Sequence, residues 1–443
     1  MPTIGLSMIV KNGGSDLRYC LSSVRSIVDQ IVIADTGSTD DSIAIAKEFG
    51  ATVIPCVWND HYAEARNVAL APVTTDWVLV LDADEELSPE AAAALPDLVA
   101  STPENIGGYQ LTIRNYANAV FASVTGSLGH RNTDSFERAK NALTHSEHIL
   151  CRLFRRDPSI YFTGRVHEAV EMQIHRAGLR TVVSNLLILH YGTLAEHCNY
   201  DKKQHRYYKL LRTAVEETPN LPHLWVQLAI TERNTYNNLD AALECTRRAV
   251  ALDPGALDAW SLLGEYLGEK KEHQQAIEAF HHLPDVGDWG ITKAWRIGDH
   301  LHDLKRFKEA RAMYIQAVDR ARKSRQPLPQ EFLTTIESRI GYTEVRIGMR
   351  TVGFRKLIHA RDSTPMVLSN HERLMKAYVS VQDDRSAAEV AEATLKYWTS
   401  EQLYGRAIAL LRRINEDARA DRLAEAGLQQ FPDSNYLRNM AFV

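Results

Sequence analysis

Asp82 and Asp84 flank Ala83 directly after Trp77-Val-Leu-Val-Leu81, an unbroken apolar run. A run of this kind reads as a strand buried on both faces. The aspartate pair therefore sits where a buried strand emerges. Two carboxylates that close repel unless something positive lies between them. A hard divalent cation with oxygen ligands meets that need, and it also binds phosphate oxygens. In open α/β sheets ligands gather at the carboxyl ends of strands. Position and chemistry thus agree on a metal–diphosphate site. The plain alternative is a strand followed by an acidic helix start, with Ser88 as cap and Pro89-Glu90 in the first turn.

The preceding elements must hold this pair in place. Ile4 to Val10 predicts a first strand, followed by a turn at Lys11-Asn12-Gly13-Gly14. Leu17, Leu21, Val24 and Ile27 recur at helical spacing. Gln30 to Ala34 predicts a second strand, ending in Asp35-Thr36-Gly37-Ser38-Thr39-Asp40. A helix carrying Ile43, Ala46 and Phe49 stops at Gly50, and Thr52 to Val57 predicts a third strand. A short helix over 63–70 carries Arg66 and Asn67, and Trp77 to Leu81 is the fourth strand. Strands alternating with helices imply βαβ units and a largely parallel sheet. The polar loops after strands one, two and four then share one edge.

Beyond them a helix is predicted over 91–100, with strands at 109–114, 150–155 and 186–189. The polar stretch 122–147 reads as a lid or substrate loop. Tyr161-Phe-Thr-Gly-Arg-Val-His-Glu168 ends in a His167-Glu168 step, whose carboxylate could take a proton from an acceptor. Asp134, Glu137 and Glu147 compete for that role, and the plain reading of His167-Glu168 is a surface pair. Lys11 could touch phosphate or be a solvated turn lysine. His190 ends the last strand and could equally be a satisfied core histidine.

From about residue 200 strand signals vanish and helical periodicity takes over. Trp225, Trp260 and Trp295 are 35 residues apart, and Leu228 and Leu263 keep that interval. Helix-pair repeats of about 34 residues are the signature of a tetratricopeptide solenoid, which presents a concave surface. The spacing is less regular around 330–400. The tryptophans fit a repeat core better than a sugar-stacking platform. His281-His282 and the pair His300 and His302 read as surface residues.

A chain of 443 residues calls for two or three domains. The expected division is residues 1–195 and 196–443. A formal net charge of −5 argues against a broad nucleic-acid surface. Five scattered cysteines form no Cys-x-x-Cys pair, which suits a reducing, cytoplasmic setting. No apolar run approaches the roughly 20 residues that span a bilayer.

Four motifs then carry a resemblance by their order and spacing: Ser7-Met-Ile-Val-Lys-Asn12, Ile33-Ala-Asp-Thr-Gly-Ser-Thr-Asp40, Ala63-Glu-Ala-Arg-Asn67 and Leu81-Asp-Ala-Asp-Glu85. Residues 1–195 resemble the inverting family 2 glycosyltransferases of the GT-A fold. Within that family the chain looks most like the branch with a C-terminal tetratricopeptide array, which includes peptide S-glycosyltransferases of bacteriocin biosynthesis. The resemblance implies an α/β nucleotide-diphosphosugar transferase domain followed by an all-α tetratricopeptide-like solenoid. It implies a metal-dependent hexosyltransferase using Mn2+ or Mg2+ and a UDP-sugar, with a peptide or protein acceptor held by the repeats.

Carried over by residue, Ser7 and Asp35 would lie at the ends of strands one and two, facing nucleobase and ribose. Lys11 and Arg66 would meet the donor, with Arg66 on uracil or diphosphate. Asp82 and Ala83 would face the donor, and Asp84 the metal, with His190 as a further ligand. Thr36 stands where many relatives carry a second aspartate. Glu168, beside His167, would act as base. Two other readings stay open: transfer to a cell-envelope glycan or lipid-linked acceptor, and a non-catalytic sugar-nucleotide-binding scaffold. A homodimer is compatible with all of them.

Overall fold

The structure, a computed structural model, describes residues 1–118, 128–192, 194 and 200–441. The chain falls into two compact units, the first running to Ala259 and the second from Trp260. The expected seam at 195/196 lies outside the described residues.

The first unit is built on one sheet. Its strands are β1 (Ile4–Val10), β2 (Gln30–Asp35), β3 (Thr52–Pro55), β4 (Trp77–Val80), β5 (Glu85–Leu87), β6 (Ile106–Ala117), β7 (His130–Arg131), β8 (Thr144–Arg155) and β9 (Arg180–His190). The order is β3-β2-β1-β4-β8-β6-β9-β5, with β7 on β8. β3, β2, β1 and β4 run parallel. β8 then enters antiparallel to both β4 and β6, and β5 is antiparallel to β9. The sheet is therefore mixed, not largely parallel. Its later strands are also longer than their apolar stretches suggest, because polar residues continue the ladder. The start of the polar stretch 122–147 is outside the described residues. Its end belongs to β8, which begins at Thr144.

The continuous apolar runs follow from burial on both faces. Ile33, Trp77, Leu79 and Leu81 pack with Leu17, Leu21 and Leu95. Val32, Val78 and Val80 pack on the other face with Phe154, Phe162 and Ile174. The helices supplying these faces are α1 (Gly14–Val24), α2 (Ser42–Glu48), α3 (Tyr62–Leu70), α4 (Pro89–Ala100) and the short α5 (Glu171–Arg176). Ser88 caps α4, its Oγ accepting from Ala91 N at 3.2 Å, and Pro89 opens the first turn. The acidic segment after β4 is thus both a strand end and the approach to a capped helix.

α6 (Tyr200–Glu217), α7 (Pro222–Tyr236) and α8 (Leu239–Leu252) also belong to the first unit. The change to helices near residue 200 and the seam between units are different places. Further helices follow: α9 (Leu257–Glu269), α10 (His273–His281), α11 (Gly287–Asp303), α12 (Phe307–Arg322), α13 (Gln330–Arg346), α14 (Arg350–Ser363), α15 (Leu368–Ser380), α16 (Asp384–Thr394), α17 (Glu401–Arg413), α18 (Asp417–Gln430) and α19 (Asn435–Ala441).

From α7 to α18 the helices come in pairs, and each turn inside a pair holds one residue in the left-handed region. These are Asn237, Lys271, Lys305, Gly348, Gln382 and Asn415, with φ between 53° and 91°. They recur 34, 34, 43, 34 and 33 residues apart. The single long interval contains the connection between α12 and α13, so the spacing is irregular just before residue 330, whereas within 330–400, where irregularity is expected, the turns keep a regular interval. The tryptophans pack within the repeats. Trp225 Nε1 donates to Pro219 O at 2.8 Å, Trp260 stacks on His282 at 3.6 Å, and Trp295 packs edge-on against Phe332 at 5.1 Å. Among the described residues no helix is long and apolar enough to cross a membrane.

Candidate active site

Because β1 and β4 run parallel, their carboxyl ends share an edge, and a cleft of about 670 Å³ opens there. Lys11 and Asn12 line it from the loop after β1, and Asp82, Ala83 and Asp84 from the turn after β4. The loops after β1 and β2 are tied together. Asn12 N donates to Ser38 Oγ at 2.9 Å, Thr39 N to Asn12 Oδ1 at 2.8 Å, and Gly13 N to Ser42 Oγ at 2.8 Å.

The two carry-over positions on these strands lie elsewhere. Ser7 is buried in the middle of β1, between Val32 and Val80, because the strand continues to Val10. Asp35 ends β2, but its carboxylate accepts the backbone N–H groups of Gly37 and Ser38, both at 3.1 Å, across a turn with Gly37 at φ +100°. Neither residue lines the cleft; Thr36 does.

Arg66 organises the floor. Asn67, its neighbour on α3, clamps the backbone of Phe162 from both sides, with Nδ2 to the carbonyl and Oδ1 from the N–H, each at 2.9 Å. The clamp fixes α3 against the segment that carries Glu168. Arg66 then donates through Nε to Glu168 Oε1 at 2.5 Å and through Nη2 to Asp82 Oδ1 at 2.7 Å. Its Nη1 is buried and has no hydrogen-bond partner among the described residues. Arg152 on β8 meets Asp82 Oδ2 at 3.1 Å and Glu85 Oε1 at 2.8 Å. Burial alone would push the Asp82 carboxyl up, but the Arg66 and Arg152 guanidiniums hold it well below the usual carboxylate range. Glu85 goes the other way: burial raises it despite Arg152.

Asp84 is arranged differently. The turn after β4 leads into β5, which pairs with β9 so that Glu85 lies opposite His190. Asp84 Oδ2 thereby comes within 3.4 Å of His190 Nε2. His190 Nδ1 donates to Asn115 Oδ1 at 2.6 Å, and Asn115 Nδ2 lies 2.9 Å from His148 Nδ1. This relay turns Nε2 toward Asp84, the outer-shell arrangement that orients metal-binding histidines. Burial opposes charging of His190, yet Asp84 lifts its pKa above the ordinary value. Gly192 keeps the space open, since a Cβ there would sit 2.3 Å from Asp84 Oδ2 and 2.8 Å from His190 Nε2.

Glu168 lies on a tight loop closed by mutual backbone hydrogen bonds between Thr163 and Ala169, both 3.0 Å. Gly164 at φ +104° and His167 at φ +52° make that loop; the first suits only glycine. The Glu168 side chain is 11% exposed, with Oε1 on Arg66. His167 Nε2 lies 2.6 Å from the Tyr207 hydroxyl. Burial in the cleft wall, and then His223, push its imidazole down to about 4, although the ring still meets solvent. Its place is beside the carboxylate, positioning the loop.

Sequence reasoning missed Arg152, Asn115, Arg206 and Tyr207. Arg152 had a signal, a lone arginine inside an apolar strand. Arg206 and Tyr207 had none, since α6 follows the sheet and looks like repeat; Arg206 lies over Trp58 at 4.8 Å and donates to Asp60 at 3.0 Å. The rival acids are engaged elsewhere: Arg114 binds Asp134 at 2.7 Å and Glu147 at 2.6 Å, and Glu137 pairs with Lys140. None of the three lines the cleft.

Residues 6–160 match the family described as glycosyl transferase family 2. A TPR repeat-containing protein of Synechococcus elongatus is 36% identical over 171 residues, 39% of this chain and 36% of that protein. An uncharacterized glycosyltransferase of Rickettsia felis is 31% identical over 40% of this chain and 63% of its own length. The SPbeta prophage-derived glycosyltransferase SunS of Bacillus subtilis is 24% identical over 56% of this chain and 53% of its own. The chain thus spans less than two thirds of each of these relatives. Glu168 and His190 lie beyond residues 6–160, the stretch that matches the family, so their parts rest on geometry. The matched segment contains β1 to β4, Arg66 and the Asp82-Ala83-Asp84 turn, and the N-terminal domain belongs to glycosyl transferase family 2, continued by a tetratricopeptide-like helical array.

Proposed function

We propose that the N-terminal domain transfers a hexose from a UDP-linked donor, with inversion, to a peptide or protein acceptor recruited by the helical array. The observation that carries this reading is the convergence on one cleft of Asp84 with His190 and, across Arg66, of Glu168. The resemblance to peptide S-glycosyltransferases supports the choice of acceptor.

Asp84 and His190 suit a divalent cation, manganese or magnesium, because a carboxylate and an oriented imidazole face one gap that Gly192 keeps clear. Bound there, the cation would offset charge developing on the departing diphosphate. Asp82 is already balanced by two arginines, which leaves Asp84 as the carboxylate for that role. Arg66 Nη1 offers an unused, buried donor toward the diphosphate or base. Glu168 accepts from Arg66 through one oxygen, and the other takes the acceptor proton as the new glycosidic bond forms.

The test is a screen of UDP-sugars for hydrolysis without acceptor, with the product anomer read by NMR. Chelator-sensitive turnover of one donor is expected, giving the inverted anomer first. Binding of every donor without turnover under any metal would overturn the reading.

Asn115→Ala removes the partner of His190 Nδ1 while leaving both candidate ligands. Turnover at limiting manganese should fall about 10–100-fold and recover in part at high manganese. An unchanged metal titration would show that the relay does not orient His190.

Truncation should separate the two candidate seams. Residues 1–259 keep Arg206, Tyr207 and the Arg165–Glu217 ion pair, and should retain donor hydrolysis. Residues 1–195 lose that wall and should lose hydrolysis or aggregate. Equal activity of the two would contradict a role for α6.

A further inference from the structure

A second cluster of ligating side chains lies in the second unit, far along the chain from the cleft residues. His273 opens α10, while His300 and Asp303 stand one turn apart near the end of α11. Their ligand atoms all lie within 4.8 Å of one another. His273 Nδ1 and His300 Nδ1 are 3.2 Å apart, and His273 Nδ1 is 3.9 Å from Asp303 Oδ2. Two neutral imidazoles at that distance can share one proton, or both can face a cation. Tetrahedral zinc with Zn–N bonds of about 2.0–2.1 Å sets its nitrogen ligands about 3.3 Å apart. The imidazole pair already has that spacing. Asp303 is exposed, so a small side-chain rotation brings its oxygen to the same span.

The surroundings hold the pair in this arrangement. His300 stacks on Phe280 at 5.7 Å, with 20° between the rings. The ring also packs against Gly268 of α9, where a Cβ would come within 2.4 Å of His300 Cε1. Glycine inside a helix costs about 1 kcal/mol relative to alanine. At position 268 it gives His300 the room to face His273. His302 Nδ1 lies 3.4 Å from Asp303 Oδ1 and steadies the other carboxylate oxygen. Residues three apart on one helix, meeting a third from the neighbouring helix, form a recurrent way of building metal centres between helices.

We propose that His273, His300 and Asp303 form a site for a first-row divalent transition metal, zinc being the best fit, which ties α10 to α11. Two imidazoles and one carboxylate suit zinc, and the fourth position is left to water. Such a metal binds the folded array in preference to the unfolded chain and so stabilises it.

Cobalt(II) is the probe, because its visible absorption is intense only in four-coordinate sites. The full chain carrying Asp84→Ala is titrated, so that the cleft contributes no binding. One equivalent should give the four-coordinate spectrum, displaced by zinc. His300→Gln should abolish the spectrum, and Asp303→Asn, an exposed change that leaves the helices intact, should weaken cobalt binding by about tenfold or more. Circular dichroism checks that both variants stay folded. No saturable spectrum in the parent chain would overturn the proposal. So would a spectrum and affinity unchanged in Asp303→Asn and in His300→Gln.

Discussion

Glu168→Gln should keep donor binding and lose transfer to a hydroxyl acceptor by about 10²–10⁴-fold, the usual contribution of a positioned base. The amide is nearly isosteric and can still accept from Arg66 Nε, so the loop between Thr163 and Ala169 should stay closed. What it cannot do is take the acceptor proton. A thiol acceptor should show a smaller effect, because part of it is already thiolate near neutral pH. The check is donor affinity by calorimetry beside the transfer rate. Near wild-type transfer to a hydroxyl would end the assignment, and no loop acid stands ready to replace Glu168: Asp134 and Glu147 bind Arg114, and Glu137 is 83% exposed beside Lys140.

The second large effect concerns stability. Arg66→Met leaves Glu168 without a hydrogen-bonded cation and Asp82 with Arg152 alone. Removing one partner of a buried ion pair destabilises by about 3–5 kcal/mol, because the remaining charge stays buried. Glu168 is well enclosed, but Asp82 is 36% exposed to the cleft, so the lower end, about 3 kcal/mol, applies. Urea unfolding of Arg66→Met, Asp82→Asn and the double variant tests this. The double variant should be less destabilised than the two single losses summed, since both single changes remove the same Arg66–Asp82 pair; Glu168 stays unpaired in it, so the relief should be partial. A loss under about 1 kcal/mol for Arg66→Met would mean that Arg66 serves ligands and not the fold.

The sequence was most readable where one physical demand dominated. β1, β2 and β4 are buried on both faces; β4 is apolar without interruption, and β1 and β2 are nearly so, broken only by Ser7 inside β1 and by Gln30 and Asp35 at the ends of β2. β5 was unreadable because Glu85-Glu86-Leu87 offers no apolar alternation; it exists because β9 supplies an edge to pair with. Without β5, nothing in the sequence brings Asp84 to His190, so their meeting could be carried only by family likeness. Arg152 reads as a misfit until Asp82 and Glu85 appear beside it. Ser7 and Asp35 mark the reverse case: the motifs are present, but strand length and a side-chain-capped turn engage them away from the cleft. In the sequence alone His300 looks like a surface residue, since its partner His273 lies on another helix of the array.

The membership of α6 in the first unit bears on how such chains can be inherited. A recombination event that exchanged the helical region where strands give way to helices, near residue 200, would carry off Arg206, Tyr207 and Glu217 with the foreign segment. The recipient would keep every family motif and yet lack one wall of its cleft. Exchange after Ala259 would leave that wall behind. Lineages that trade repeat arrays while staying active should therefore show their breakpoints downstream of α8, with α6 descending alongside the sheet.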